Sequence, residues 1–240
     1  MKILTGFYNA EDFIEKSLGS IMKQRFQDFT CYITHDLSTD NSVKLVNDMI
    51  RDDDRFILMP DNDIKLYQTG NFDRTIRKNQ NIKDNDICVE VDGDDWLPDR
   101  DVLTRINEVY KDDNVWIANG SFKYSSGANG FSSPQTQFDN IRNLRFTASH
   151  IRTWRAFLWR AINEDDLKDE YGNYWQWSGD LCFMYPMLEM AGPEHYVFMK
   201  DINYIYNETN PINEHKLDMT MVNNHAMRIR NKKPYNRLIR

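Results

Sequence analysis

Three carboxylates, Asp92, Asp94 and Asp95, fall within four residues in the segment EVDGDDWLPD, relieved only by Gly93, directly after the apolar run ICVEV. Like charges this close repel, and a shared cation makes them tolerable at the end of a strand. An all-oxygen ligand set suits a hard ion, Mg²⁺ or Mn²⁺, which can bridge a diphosphate and neutralise it as it departs. The same residues could instead form an acidic turn capping the next helix, as Asp99 and Asp101 show a few positions on.

The elements that would position these groups are legible in the hydrophobic pattern. Lys2 to Phe7, Thr30 to Thr34, Arg55 to Met59 and Asp86 to Val91 read as strands, and helical spacing links Ile14, Leu18, Ile21 and Met22. Val43, Val46, Met49 and Ile50 mark a second helix, and Val102, Ile106, Val109 and Tyr110 another after Pro98. Asn9 is a plausible N-cap of the first. Alternating strands and helices predict an α/β fold, a mainly parallel sheet with helices on both faces. Ligands bind beyond the carboxyl ends of such strands, where Tyr8-Asn9, His35-Asp36 and Asp92 to Asp95 stand. Further on, Val115 to Asn119 and INYIYN read as strands, and the uncharged SSGANGFSSPQTQ as a loop, either an active-site flap or a surface connection.

With 240 residues and 40% apolar content the chain can bury one substantial core. No stretch approaches the roughly 20 apolar residues needed to span a bilayer, and MKILTGFYNA turns polar too soon for a secretory signal peptide, so a cytoplasmic location is expected. Cys31, Cys88 and Cys182 lie far apart in apolar surroundings and read as reduced core residues. The net charge of -7 argues against a general nucleic-acid backbone binder, although the stretch from Arg228 to Arg240 has six basic residues and no acid.

The stretch GFYNAEDFIEKSLGSIMKQRFQDFTCYITHDLSTDNS resembles the N-terminal signature of family 2 glycosyltransferases, and the likeness runs from Ile3 to about Asp99 and resumes near Asp180. The resemblance implies a GT-A fold: residues 1–227 as one domain, with a donor half (1–119) and an acceptor half (120–227), followed by a basic tail (228–240). It implies transfer of a sugar from a nucleotide sugar, with a UDP-sugar expected, to a hydroxyl on a glycan, protein or modified nucleic acid, by an inverting displacement that depends on Mn²⁺ or Mg²⁺. Phe7, Tyr8 and Asn9 would line the donor site, Asp36 would accept the N3 hydrogen of uracil, and Lys78 with Asn79 would approach the diphosphate. His35 and Leu37 depart from the family's usual Asp and Gly. Asp92 would begin the DxD motif, Asp94 would contact ribose or metal, and Asp95 would be the principal metal ligand, with His215 completing the shell.

The segment YGNYWQWSGDLCFMYPMLEMAG resembles the family's second acidic motif, which makes Asp180 the expected general base, with Glu170 and Asp169 next in line. Read alone, Asp180 could be only a helix N-cap. Sugars stack on aromatic faces, and Trp175 and Trp177 flank this motif as acceptor-binding candidates, whereas Trp154 and Trp159 fall in a helix-like segment expected in the core. Two rival readings are a nucleotide-sugar-binding module without catalysis and a nucleotidyltransferase. The second needs a glycine-rich basic loop after the first strand, where GFYNAED is acidic.

Overall fold

The apolar runs of the first half pair side by side. In the computed structural model, which describes residues 1–240, β1 (Lys2–Phe7), β2 (Thr30–His35), β3 (Phe56–Leu58) and β4 (Ile87–Glu90) run parallel, joined through α1 (Ile14–Met22), α2 (Ser42–Ile50) and α3 (Tyr67–Lys78). After α4 (Val102–Val109), β5 (Ile117–Tyr124), β6 (Arg152–Arg155) and β7 (Tyr196–Tyr206) complete a seven-stranded sheet in the order β3-β2-β1-β4-β6-β5-β7. β6 is antiparallel to both its neighbours, β4 and β5, while β5 and β7 are parallel.

Side chains alternate across the strands and feed two cores. Ile3, Cys31, Ile33 and Val89 face one closed by Ile14, Leu18 and Ile21 of α1, Val46 of α2 and Ile106 of α4. Leu4, Tyr32, Cys88 and Trp154 face the other, closed by α3, α5 (Ala156–Ala161) and α6 (Gly179–Ala191). Every residue of α6 except Asp180 is buried, the pattern of a helix enclosed on all sides. The three cysteines are buried and unpaired, as their apolar settings predict.

The segment around Trp154 and Trp159 is not one helix. Arg152–Arg155 is a strand because its backbone completes the ladder between β4 and β5, and the helix begins only at Ala156. Both tryptophans are fully buried, their rings stacked 5.7 Å apart. The loop after β5 folds back on it: Gly130 donates its N–H to the Phe122 carbonyl, and Phe131 packs edge-on against the Phe122 ring.

α7 (Glu214–Leu217) and α8 (Met219–Arg230) end the chain, and the basic residues after them lie along the protein rather than standing free. Arg228 pairs with Glu170, Lys232 with Asp166, Arg237 with Asp139 and Arg240 with Asp84, while Arg230 donates to the carbonyls of Arg142 and Leu144. Five of the six cations are therefore spent on intramolecular partners. No helix is long and apolar enough to cross a membrane.

Candidate active site

The acidic loop leaves β4 against the end of β1, and Gly93 is required there. A Cβ at this position would lie 2.5 Å from that of Phe7 and 3.1 Å from the Gly6 carbonyl, to which Gly93 donates its own N–H. Beyond the loop, Trp96 exchanges backbone hydrogen bonds with Ile205 of β7, so both ends are pinned. Asp92 accepts from Gln68 (2.5 Å) and from the Tyr204 hydroxyl (3.3 Å). Asp94 accepts from the Asn210 amide, and Asp95 from the Asn207 N–H.

Ligand atoms of Asp92, Asp95 and His150 lie within 4.8 Å of one another. The imidazole of His150 stacks on Tyr204 at 4.4 Å. Asp95 Oδ2 and His150 Nδ1 are buried with no hydrogen-bond partner, a costly state that a shared cation relieves. Burial, reinforced by the charges of Asp94 and Asp92, pushes Asp95 well above the usual carboxylate range, and burial followed by Glu90 and Asp94 does the same to Asp92. Burial and then Arg152 hold His150 far below the ordinary imidazole value, so it is neutral, the form that ligates a metal. The donor set fits a divalent ion.

His215, expected in this cluster, is instead exposed on α7, with its ring 6.4 Å from Tyr206. The imidazole that faces the carboxylates comes from the segment leading into β6, which crosses the sheet beside β4. Sequence spacing gives no sign of that neighbourhood.

Asp180 stands in the first turn of α6, after Ser178 in a left-handed conformation (φ 54°). It is not the N-cap, and it is not unpartnered. Its Oδ2 accepts from Arg152 Nη2 at 2.7 Å, while the side chain keeps 26% of its surface exposed. Arg152 is nearly buried and also pairs with the fully buried Glu90 at 2.7 Å. Gln68 bridges Glu90 and Asp92, so a continuous chain of polar contacts runs Asp180–Arg152–Glu90–Gln68–Asp92. Glu90 opens the acidic segment two residues before Asp92, whereas Gln68 and Arg152 have no recognisable spacing relative to it.

On the donor side, Phe7 stacks on His35 at 5.7 Å, and His35 reaches Asp61 at 2.6 Å. Tyr8 is partly exposed at the mouth of the sheet. Asn9 does not cap α1, which begins at Ile14 with no side-chain cap. It adopts φ 45°, and its Oδ1 accepts the Thr39 N–H at 2.8 Å, tying the end of β1 to the turn after β2. Asp36 is buried, and its Oδ1 accepts from the N–H groups of Leu66 and Tyr67 and the Asn71 amide. It therefore organises the start of α3. Asp36→Ala should lower unfolding free energy by about 2–4 kcal/mol through the donors left unsatisfied, and should narrow the ratio of UDP to GDP affinity. Titration of both nucleotides checks this, and an unchanged ratio would count against a base contact.

Lys78 is not brought to the site. It is exposed at the far end of α3, about 17 Å of helix from Tyr67, whose N–H Asp36 accepts. The α3 residues that do reach the site are Gln68 and Asn71. Trp175 is also displaced: only 2% exposed, it packs edge-on against His225 and donates its indole N–H to the Asp166 carbonyl. Trp177 is half-buried beside Ser178.

A sheet of this order, with an acidic loop at its carboxyl edge and a second carboxylate at the head of a buried helix, defines a GT-A glycosyltransferase scaffold. The model of the family described as glycosyl transferase family 2 matches residues 3–166, and the chain belongs to that family. The dTDP-rhamnosyl transferase RfbG of Shigella flexneri is 31% identical over 137 residues, covering 55% of this chain and 47% of that protein. The teichoic acid poly(glycerol phosphate) polymerase of Staphylococcus epidermidis is 44% identical over 63 residues, covering 26% of this chain and 9% of that one. The chain thus spans less than half the length of these two curated relatives. Among solved structures, S. aureus TarS 1-349 in complex with UDP-GlcNAc superposes with a TM-score of 0.63 at 16% identity, over 86% of this chain and 58% of that one. The mannosyltransferase PcManGT from Pyrobaculum calidifontis, in complex with GDP-Man and Mn²⁺, gives 0.56 at 15% identity, over 95% and 59%. Both show a shared fold.

Proposed function

We propose that the chain transfers a sugar from a nucleotide sugar, with a UDP-sugar as donor, to an acceptor hydroxyl by a metal-dependent inverting displacement. The observation that carries this reading is the convergence of Asp92, Asp95 and His150, with two orphaned ligand atoms, at the carboxyl edge of the sheet. The UDP-GlcNAc bound by TarS and the GDP-Man and Mn²⁺ bound by PcManGT support a nucleotide-sugar donor and a metal.

Asp92, Asp95 and His150 would hold Mn²⁺ or Mg²⁺, which supplies charge neutralisation for the departing diphosphate. Asp94, held by Asn210, is left to the ribose. Tyr8 gives the base a stacking face, and Asp36 accepts its N–H. Asp180 takes the proton of the acceptor hydroxyl as that oxygen bonds to the anomeric carbon. The bond from that carbon to the phosphate oxygen breaks on the opposite side, and the nucleoside diphosphate leaves. Arg152 occupies one oxygen of Asp180 and leaves the other for the acceptor. Trp177 borders the acceptor side, where a glycan, a protein or a modified nucleic acid could be received.

Mn²⁺ and UDP together should raise the melting temperature more than the sum of their separate effects, because each completes the other's site. Asp95→Ala should abolish that synergy while leaving the shift from UDP alone. Thermal melts with and without chelator check both, and UDP binding indifferent to metal in the unaltered chain would overturn the metal assignment.

A further inference from the structure

Arg152 holds Asp180 by one hydrogen bond where its shape offers two. In a guanidinium, the Nε–H and one Nη2–H point the same way along one edge, a rigid fork that matches both oxygens of a carboxylate. Here Nη2 donates to Asp180 Oδ2 at 2.7 Å, yet Nε beside it is buried with no partner. The other terminal nitrogen accounts for the difference. Nη1 donates to Glu90 Oε1 at 2.7 Å, and because the group is planar, a bond at Nη1 sets the direction of every other N–H. Glu90 is itself fixed: it is the last residue of β4, fully buried, and its Oε1 also accepts from Gln68 Nε2 at 3.1 Å. Arg152, on the neighbouring strand and 4% exposed, is thus drawn by two carboxylates at once. If the pull of Glu90 is removed, Asp180 is the only carboxylate still paired with the guanidinium, and a rotation that brings Nε onto its second oxygen completes the fork.

We propose that Glu90 is a positioning residue for the transfer step: by holding one arm of Arg152 it keeps the grip on Asp180 single, so that this carboxylate retains an oxygen with which to take the acceptor proton. This rests on the reading of Asp180 as the general base and deepens it. A carboxylate gripped through both oxygens has no lone pair left for the acceptor hydroxyl, and two charge-assisted hydrogen bonds to its ionised form make it a weaker base. Fully buried, Glu90 reaches neither donor nor acceptor. Its effect therefore falls on the chemical step and leaves donor affinity alone.

The test is Mn²⁺-dependent hydrolysis of UDP-GlcNAc, UDP-glucose and UDP-galactose, with water in place of the acceptor and UDP release as the signal. It compares the unaltered chain with Glu90→Gln, Arg152→Lys and the double variant. Glu90→Gln keeps the volume and an oxygen for Nη1 but weakens the pull, since a hydrogen bond to a carboxylate is about twice as strong as one to a neutral amide. The kcat should fall about 10- to 100-fold at unchanged KM, a part of the cost of losing a base outright. A lysine ammonium is a point charge with no fork to close on both oxygens. In the Arg152→Lys background the same Glu90→Gln change should therefore cost less than about threefold. An equal loss in both backgrounds, an unchanged rate for Glu90→Gln, or a Glu90→Gln chain that no longer folds would each overturn the proposal. So would loss in Glu90→Gln of the joint stabilisation by Mn²⁺ and UDP, which would make Glu90 a support of the metal through Gln68. Absence of UDP release by the unaltered chain from all three sugars would remove the UDP-sugar reading itself, and the role of Glu90 with it.

Discussion

Replacing Asp180 with Asn should lower sugar transfer by about 10²- to 10⁴-fold at unchanged donor affinity, the usual cost of losing a general base. The substitution keeps an oxygen that can accept from Arg152, and Arg152 retains its pairing with Glu90, so the buried arginine is not stranded. The rest of α6 is enclosed by the core and does not depend on this side chain. Stability should therefore be nearly unchanged, which separates a chemical role from a structural one. Initial rates of transfer with an active donor and acceptor, alongside UDP titration, check the prediction. A wild-type rate would dismiss Asp180 as the base and leave Glu170 and Asp169 as the next candidates. Glu170 pairs with Arg228, and Asp169 is occupied by the N–H groups of Tyr171 and Asn173.

The largest effect on stability is expected at Arg142. Its guanidinium meets both oxygens of Glu189 at 2.6 and 2.8 Å, with the two side chains 6% and 4% exposed, and also donates to the Ile229 carbonyl at the end of α8. Arg142→Met removes one partner of a buried pair and leaves a carboxylate in the core, which costs about 3–5 kcal/mol. Urea unfolding should show that loss, and a change below about 1 kcal/mol would mean that water reaches Glu189. Arg142→Met combined with Glu189→Leu should recover much of the deficit, because the stranded charge is then gone.

The first four strands, the helices α1 and α2 between them and α4 after them are legible in the sequence because each buries a face against the sheet, and burial writes a period into the chain. The acidic loop and Asp180 are legible for a related reason: the loop follows directly on an apolar run, and Asp180, after Ser178-Gly179, directly precedes one. His150 and Arg152 are not, since they act through β6, whose antiparallel insertion depends on pairing with strands far away in sequence. Lys78 was misplaced because a helix carries residues away from the site as it advances, so nearness along the chain to the acidic motif says nothing about nearness in space. Trp175 illustrates the same limit for aromatic residues. Whether such a ring meets solvent or core is decided by what folds over it, here His225 from a helix near the other end of the chain.

The two residues that β6 brings to the site, His150 and Arg152, stand two positions apart. Arg152 opens the strand and His150 lies in the segment leading into it; successive side chains of a strand alternate between its faces, so a one-residue slip of β6 would turn Arg152 away and draw His150 out of place with it. A molecule with this strand misregistered would lose its imidazole and the anchor of Asp180 in a single error. Preparations of the protein should then divide into fully active and wholly inert molecules, and the fraction of active sites, not the turnover of each, should be what varies between refolded batches.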